Sequence, residues 1–313
     1  MSFGELDFIE ALRAFATHPA ARGLADDAAV LGDLVLTHDS IAEGVHFLAD
    51  DPPASVGWKL VAVNLSDLAA KGAEPLAALM SATITGDGAW ESAFLTGVAA
   101  ACEAYHLPLV GGDTIALPVG APRVFGLTAV GRGGTDVPSR GGARPGDRLW
   151  LVGTLGDAAA GLAVLKTNRH AQGILVEAYR RPVPLLIAGQ LLAPHAHAMM
   201  DVSDGLLLDL ARLIKASGCG ARIDLDALPL TRAFIAERGG GRAARLFAAT
   251  GGDDYALLAA LAPDLDPGLS LCLPSDAIFA AVGTITVGNS IELFDATGDV
   301  SLPERLGYEH HRP

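Results

Sequence analysis

The order of apolar and polar positions along the first half of the chain predicts alternating strands and helices. Residues 34–37 and 76–84 are apolar runs of strand length, and apolar side chains recur at helical spacing over residues 55–71. A second helix is predicted over residues 90–105, where Asp87 precedes the run and can cap its N-terminus. Further strands are predicted at 107–110 and 124–130.

The second half of the chain shows the same mixture of elements. Its predicted strands are 149–155, 199–202 and 291–294, and its predicted helices are 157–166 and 205–216. Because helices and strands alternate and several strands are adjacent, we predict an α+β or mixed α/β fold. Residues 131–147, between the halves, are rich in Gly, Pro and Arg, which is typical of a domain boundary. We therefore predict two domains, residues 1–138 and residues 139–313.

The charge balance of the chain narrows the classes of partner. The 313 residues include 36 acidic and 22 basic side chains, which give a formal net charge of −14, and no run of Lys or Arg occurs. A basic surface for nucleic acid is therefore not expected. Asn64, Asp67 and Lys71 interrupt the longest apolar stretch, so no membrane partner is expected. An acidic protein that handles anions needs metal ions to bridge carboxylate and phosphate.

The cysteines and the N-terminal residues bear on location. Cys102, Cys219 and Cys272 are far apart and form neither a CxxC pair nor a zinc-binding spacing, so we expect reduced thiols. Residues 1–10 contain acidic side chains and no basic segment before an apolar stretch, so a signal peptide is not expected. Both observations predict a cytoplasmic location.

Aspartates recur beside small residues near the ends of the predicted elements. The segments are ADDA at 25–28, THDS at 37–40, NLSD at 64–67, GGDT at 111–114, DVSDG at 201–205 and GGDDY at 251–255. Mg²⁺ prefers carboxylate and other hard oxygen ligands, and glycine lets backbone N–H groups approach phosphate closely. Each segment alone is also compatible with an ordinary turn or helix cap. Together they predict carboxylates that converge from several loops on a magnesium site.

Asp67 differs from the other aspartates because it lies within a predicted helix. Asn64, Asp67 and Lys71 share one face of that helix, which is otherwise apolar. The face is either solvated or lines a cleft, and the apolar surroundings favour the cleft. The usual phosphate-binding motifs are missing from the sequence: we find no P-loop, no GxGxxG before a helix, and no protein-kinase motif set.

Taken in order, these segments resemble the thiamine-monophosphate kinase family. That family belongs to a superfamily with aminoimidazole ribonucleotide synthetase, selenophosphate synthetase and a hydrogenase maturation factor. The resemblance rests on EGVHF at 43–47, GWKLVAVNLSDLAAKGAEP at 57–75, GGDT at 111–114, SRGGARPGD at 139–147, DVSDGL at 201–206 and GGDDY at 251–255.

The resemblance implies a two-domain subunit with the aminoimidazole ribonucleotide synthetase fold. The N-terminal domain would bind ATP and Mg²⁺ and form a homodimer through a β-barrel-like interface. The C-terminal domain would complete the nucleotide and substrate cleft. The implied activity is magnesium-dependent, in-line transfer of the ATP γ-phosphoryl group to thiamin monophosphate, which gives thiamin diphosphate.

The resemblance also assigns roles to individual residues. The implied magnesium ligands are Asp27, Thr37, Asp39, Asp67, Asp113, Asp201 and Asp204. The implied ATP contacts are Gly112, Asp113, Arg140 and Ser203, and the implied substrate contacts are His46, Asp253 and Tyr308. No general base is implied, so the metal cluster with Arg140 would carry catalysis.

The sequence departs from the family pattern at four positions. His38 replaces a Thr that helps to hold a metal, Asp253 and Ala256 each replace a Glu, and Lys71 replaces a Met. These departures leave two alternatives open. One is a related ATP-dependent synthase acting on another small acceptor, and the other is a catalytically inactive nucleotide-binding homologue.

Overall fold

The fold consists of two open β-sheets with helices packed against them. The structure, a computed structural model, describes residues 4–118, 120–266, 268 and 278–309. Helix α1 (Glu5–Arg13) precedes the first sheet, whose strands are β1 (Ala29–Leu31), β2 (Leu34–Ala42), β3 (Glu74–Ile84), β4 (Leu109–Ala116) and β5 (Val124–Arg132). Their spatial order is β1-β2-β5-β3-β4, and β3 and β4 form the parallel pair. One face of this sheet is covered by α2 (Pro53–Ala70) and α3 (Gly88–Ala104).

Helix α2 is buried on nearly all sides because its sequence is apolar on nearly all sides. Residues Val56 to Ala70 include apolar side chains at almost every helical position, which is typical of a core helix. Gly57 and Gly97 let α2 and α3 approach closely. A Cβ at Gly97 would lie 1.9 Å from the Ala54 carbonyl oxygen, and one at Gly57 would lie 2.2 Å from that of Phe94.

The second sheet is buried on both faces around its centre. Its strands are β6 (Arg148–Val152), β7 (Ala196–Val202), β8 (Gly220–Asp224), β9 (Ala256–Leu261), β10 (Phe279–Thr286), β11 (Ile291–Asp295) and β12 (Gly298–Val300), in the order β12-β11-β8-β10-β6-β9-β7. The helices of this half are α4 (Asp157–Thr167), α5 (Ile174–Arg180), α6 (Leu186–Leu192), α7 (Leu206–Ser217), α8 (Arg232–Arg238) and α9 (Arg242–Thr250). Alternate residues of the central strands enter the core with α7 and α9, and the others enter a core with α6 and α2.

The sequence analysis identified most of these elements but misplaced several ends. The α+β class with two sheets is confirmed, and Asp87 caps α3 by accepting the Trp90 N–H at 3.2 Å. Strand β2 continues through residues 38–42, so His38, Asp39 and Ser40 lie inside it and not after it. Likewise, GGDT lies inside β4, because the predicted strand 107–110 extends to Ala116. The division of the chain after residue 138 stays a prediction.

Two further expectations concern helices and thiols. No helix in the described part of the chain is both long enough and apolar enough to cross a bilayer. Cys102 and Cys219 are free thiols, and Cys272 lies outside the described residues.

Candidate active site

A group of three aspartates lies where α2 meets the second sheet. Asp27 comes from the loop before β1, Asp67 from α2 and Asp201 from β7, and one oxygen of each lies within 4.8 Å of the others. Asp67 and Asp201 are 8% and 4% exposed. We call Asp27, Asp67 and Asp201 the carboxylate cluster. Asp67 and Asp201 lie on a helix and a strand, where the sequence analysis placed them, and Asp27 comes from a loop.

Neighbouring polar groups hold the cluster in place. The Thr37 hydroxyl donates to Asp67, and the Ser66 hydroxyl donates to Asp201 at 2.6 Å. On the same helix, the Asn64 side-chain oxygen accepts the backbone N–H of Asp39 at 2.9 Å. The polar stripe of α2 is therefore buried against its neighbours. A solvated helix face, the alternative left open by the sequence, is wrong.

The carboxylates raise one another's pKa values. Burial, followed by repulsion from neighbouring aspartates, raises the pKa values of Asp67 and Asp201 well above the usual range. Burial and the charges of Asp27 and Asp204 raise the pKa of Asp39 to about 6. For Asp27 burial is opposed by the charges of nearby cations, and its pKa is lowered. A cation placed among these groups would therefore be strongly favoured.

The cluster fits a divalent metal ion by the chemistry of its donors. Its oxygens are hard ligands, which Mg²⁺ prefers, and they come from separate elements that surround one point. Asp27 Oδ2 is buried and lies 2.7 Å from the Lys71 ammonium, but it makes no well-aligned hydrogen bond within the described residues.

Basic side chains flank Asp27 and the adjacent Asp26. The Arg140 guanidinium donates to Asp27 Oδ1, and its backbone N–H donates to Asp26 Oδ1 at 3.2 Å. Lys71 Nζ lies 2.5 Å from Asp26 Oδ1 and 2.7 Å from Asp27 Oδ2, and Arg22 pairs with the other Asp26 oxygen at 2.6 Å.

A cavity of about 320 Å³ opens beside the cluster. Six predicted site residues line it, namely Asp39, His46, Ser203, Asp204, Asp253 and Tyr308. The cavity therefore joins predicted metal ligands and one predicted ATP contact to all three predicted substrate contacts. A second cavity, of about 390 Å³, lies beyond Asp26 and is bordered by Arg22 and Arg140.

Asp253 is fixed at one end of the first cavity. Its backbone has a φ of +70°, a left-handed conformation that Asp tolerates better than most residues. Lys59 Nζ donates to Asp253 Oδ2 at 2.9 Å and to the His46 carbonyl oxygen at 3.0 Å, while Tyr255 donates to Asp253 Oδ1 at 3.0 Å. Lys59 also lies 4.2 Å from the centre of the Tyr179 ring. The segments that contain two predicted substrate contacts are thus joined through one buried lysine.

Asp209 fixes the backbone of the segment from Ser203 to Gly205. Asp209 Oδ2 accepts the three backbone N–H groups of this segment at 3.1, 3.0 and 3.2 Å. Arg212 donates to both Asp209 and Asp204, at 2.7 and 2.6 Å. The backbone N–H of Tyr308 donates to the Asp204 carbonyl oxygen at 2.9 Å.

Gly112 and Asp113 are not brought to the cluster within one subunit. Asp113 pairs with Ser81, Ser81 with Gly126, and Gly126 with Ser40, so these four residues form one row across the first sheet. Side chains alternate along β2, so this row lies on the face opposite to Thr37 and Asp39. Three strand spacings, or roughly 14 Å, also separate β4 from β2.

Two of the family departures lie away from the cluster. His38 is on the same open face as Ser40, and its ring nitrogen lies 2.8 Å from the Thr128 hydroxyl. Ala256 begins β9 and is buried in the core of the second half.

Comparisons with known proteins identify the family of the chain. The family model of the AIR synthase related protein N-terminal domain matches residues 25–133, and that of the C-terminal domain matches residues 144–295. The thiamine-monophosphate kinase of Salmonella typhimurium is 40% identical over 261 residues, which cover 79% of this chain and 78% of that protein. The chain belongs to the thiamine-monophosphate kinase family.

Two further relatives cover almost the whole chain. The thiamine-monophosphate kinase of Escherichia coli K12 is 36% identical over 302 residues, or 92% of this chain and 91% of the relative. The solved structure of AaThiL complexed with AMPPCP and TMP superposes with a TM-score of 0.84 at 29% identity, covering 99% of this chain and 97% of AaThiL. The family resemblance of the sequence is confirmed.

Sequence reasoning missed several residues that shape this site. Lys59 is 2% exposed, and Ser66 and Asp209 are fully buried. A lysine, a serine and an aspartate within strongly apolar helices are the only signal that the sequence carries for them, because burying a polar group is costly without a partner.

Proposed function

We propose that the chain transfers the γ-phosphoryl group of ATP to thiamin monophosphate, which gives thiamin diphosphate and ADP. The observation that carries this proposal is that the first cavity is lined by Asp39 and Asp204, and that the charge of Asp39 acts on Asp67 and Asp201 of the buried carboxylate cluster. It is supported by thiamine-monophosphate kinases that match this chain over most of its length and theirs. It is also supported by AaThiL, which was solved with AMPPCP and TMP.

We assign the first cavity to the acceptor. His46, Asp253 and Tyr308 line it together with Asp39 and Asp204, two of the predicted metal ligands. We place the positively charged thiazolium ring of the acceptor beside Asp253, whose carboxylate is also paired with Lys59. The acceptor phosphate then points towards the aspartates, where bridging cations make its approach favourable.

We assign the nucleotide to the second cavity and its terminal phosphate to the cluster. Arg140 borders that cavity and donates to Asp27 of the cluster, whereas Ser203, the other predicted ATP contact of this half, borders the first cavity. The proposed magnesium ligands are Asp27, Thr37, Asp39, Asp67, Asp113, Asp201 and Asp204. Mg²⁺, when bound, supplies positive charge that bridges carboxylates and phosphates.

The chemistry requires positioning rather than a general base. The attacking oxygen belongs to a phosphate monoester, whose second pKa is about 6, so it is already ionised at neutral pH. Repulsion is the main barrier: two unit charges about 4 Å apart interact with roughly 4 kcal/mol at an effective dielectric constant of about 20. Burial lowers the pKa of Arg140, but the charges of Asp27, Asp209 and Asp26 and the hydrogen bond to Asp27 together raise it further, so Arg140 remains charged. It therefore supplies fixed positive charge where phosphates meet.

A homodimer would place Gly112 and Asp113 beside the site of the second copy. The face of the first sheet that carries Asp113 is exposed, and Leu79, Ile115 and Val124 on that face are 45%, 54% and 41% exposed. Two copies that pack these faces together would bury the apolar side chains and form the β-barrel-like interface of the family.

The cytoplasmic location also stays a prediction.

An acceptor assay tests the proposed reaction. ADP formation is measured with thiamin monophosphate, free thiamin and no acceptor, each with Mg²⁺ and with a chelator. We expect turnover of ATP only in the sample that contains both thiamin monophosphate and Mg²⁺. Turnover with another acceptor would favour a related synthase, whereas ATP binding with no turnover on any acceptor would favour an inactive homologue.

Subunit complementation tests the homodimer and the role of Asp113. Asp67→Asn and Asp113→Asn chains are each inactive by this proposal, and they are mixed under conditions that exchange subunits. If Asp113 acts on the second copy, half of the dimers carry one intact site of two, so activity returns to about a quarter of wild type. No return of activity, although mixed dimers form, would place Asp113 and Asp67 in the same subunit's site.

A further inference from the structure

Lys71 is a fully buried lysine beside the carboxylate cluster. Its side chain is 0% exposed, at the position where α2 ends. The ammonium lies 2.5 Å from Asp26 Oδ1, 2.7 Å from Asp27 Oδ2 and 3.2 Å from the Met199 carbonyl oxygen. With three oxygens around it and no route to solvent, this ammonium cannot swing away as a surface lysine does.

The position of the ammonium is one that a divalent ion would also favour. Its nearest oxygens are carboxylates, and Asp27 Oδ2 lacks a well-aligned hydrogen bond although the ammonium is close to it. Arg140 occupies the other oxygen of Asp27. Both oxygens of this aspartate therefore already face a positive charge. A divalent ion bound to Asp27 Oδ2 at about 2.1 Å would lie within 5 Å of the ammonium and be repelled by it.

We propose that Lys71 acts as a built-in cation of the carboxylate cluster, in the place where a divalent ion would otherwise bind Asp26 and Asp27. The chain then binds one divalent ion fewer than the same cluster does with a neutral residue at position 71. This inference rests on the proposed magnesium site and goes beyond it, because it assigns part of the cluster's charge compensation to the protein itself. Lys71 is a positioning residue in this role, since it holds Asp26 and Asp27 and need not touch either substrate.

The test is a titration of the nucleotide-free protein with Mn²⁺, in which electron paramagnetic resonance measures the free Mn²⁺. Wild type is compared with Lys71→Met, which keeps a long unbranched side chain and removes the charge. We expect one additional bound Mn²⁺ per chain in Lys71→Met. Lys59→Met is the matched control, because Lys59 is the other buried lysine of α2 and pairs with Asp253. Its Mn²⁺ stoichiometry should equal that of wild type.

Thermal unfolding gives a second readout that a purely structural role would not produce. Without divalent ions, Lys71→Met should melt below wild type, because Asp26 and Asp27 lose a partner. With saturating Mn²⁺ the difference should close, because the added ion replaces the ammonium. If Lys71→Met does not fold without metal, Lys71→Gln is used for both measurements.

The outcomes separate this inference from the magnesium proposal. Equal Mn²⁺ stoichiometry in wild type and Lys71→Met, with a melting difference that persists in Mn²⁺, would overturn the role of Lys71 and leave the metal site standing. No Mn²⁺ binding by wild type or by either variant would overturn both.

Discussion

The Lys59–Asp253 pair should control both the stability of the cavity wall and the affinity for the acceptor. The perturbation is a cycle of Lys59→Met, Asp253→Asn and the double variant. Asp253→Asn keeps the size of the side chain and the tolerance for a left-handed backbone, so it removes the charge with little added strain. The sequence alone predicted an effect on the acceptor and not on the fold. The structure indicates both.

The magnitude follows from burial. Breaking a fully buried ion pair by removing one partner costs about 3–5 kcal/mol. Asp253 is a quarter exposed, and Lys59 keeps the His46 carbonyl oxygen and the Tyr179 ring, so we expect about 2–3 kcal/mol for Asp253→Asn. The double variant removes both charges and should lose less than the sum of the single variants. The expected coupling between the two changes is about 1–2 kcal/mol.

The assay combines urea unfolding with steady-state kinetics. The KM for thiamin monophosphate should rise about tenfold in each single variant, because a charged contact and its support are lost, while the KM for ATP changes little. Free energies of unfolding that add within about 0.5 kcal/mol would show that the pair is not coupled. A rise in the ATP KM alone would move Asp253 into the nucleotide site.

Three further predictions concern the cluster and its support. Asp67→Asn should lower turnover by at least about a hundredfold, because it removes a metal-binding charge. The melting curve should not change, because the side chain keeps its shape. Activity within a few-fold of wild type would contradict this prediction. Since Asp39 has a pKa of about 6, above its ordinary value, the metal-free protein should lose stability as the pH rises through 6. Mg²⁺ affinity should rise over the same range, about fivefold between pH 5 and 6, and calorimetry that shows a flat profile would exclude Asp39 as a ligand. Gly97→Ala should destabilise the protein by about 2 kcal/mol or more, because its Cβ would overlap the Ala54 carbonyl. Urea unfolding measures this change, and an unchanged free energy of unfolding would mean that α3 can shift away from α2.

How well the sequence predicted each element depended on how local its signal is. Helix α2 was predicted almost to its ends, because its apolar residues and its polar stripe follow one helical period. Strand β2 was ended too early. His38, Asp39 and Ser40 are polar because they face a site on one side and an open face on the other, and only pairing with β5 keeps them extended. Local polarity could not distinguish this from a loop.

The placement of Asp113 could not be predicted from the sequence of one chain. The GGDT segment resembles the other acidic segments, and nothing in it tells which face of which strand it occupies. That depends on sheet order, which puts β4 at the edge, and on register, which puts Asp113 in the row of Ser81, Gly126 and Ser40. Order and register are set by contacts between residues that are distant in sequence, and these contacts leave no periodic signal.

The geometry of the cluster depends on how the two halves pack, because its members come from both. Asp67 belongs to the helix that covers the first sheet, and Asp201 belongs to the second sheet. Helix α2 joins them: Ser66 donates to Asp201, and Gly189 of α6 packs so closely that a Cβ there would lie 2.0 Å from the Ala69 carbonyl oxygen. A change at this distant contact should therefore move Asp201 relative to Asp67. The small residues between α2 and α6 therefore help to set the distance between Asp67 and Asp201, which a bridging cation would span under the proposed function.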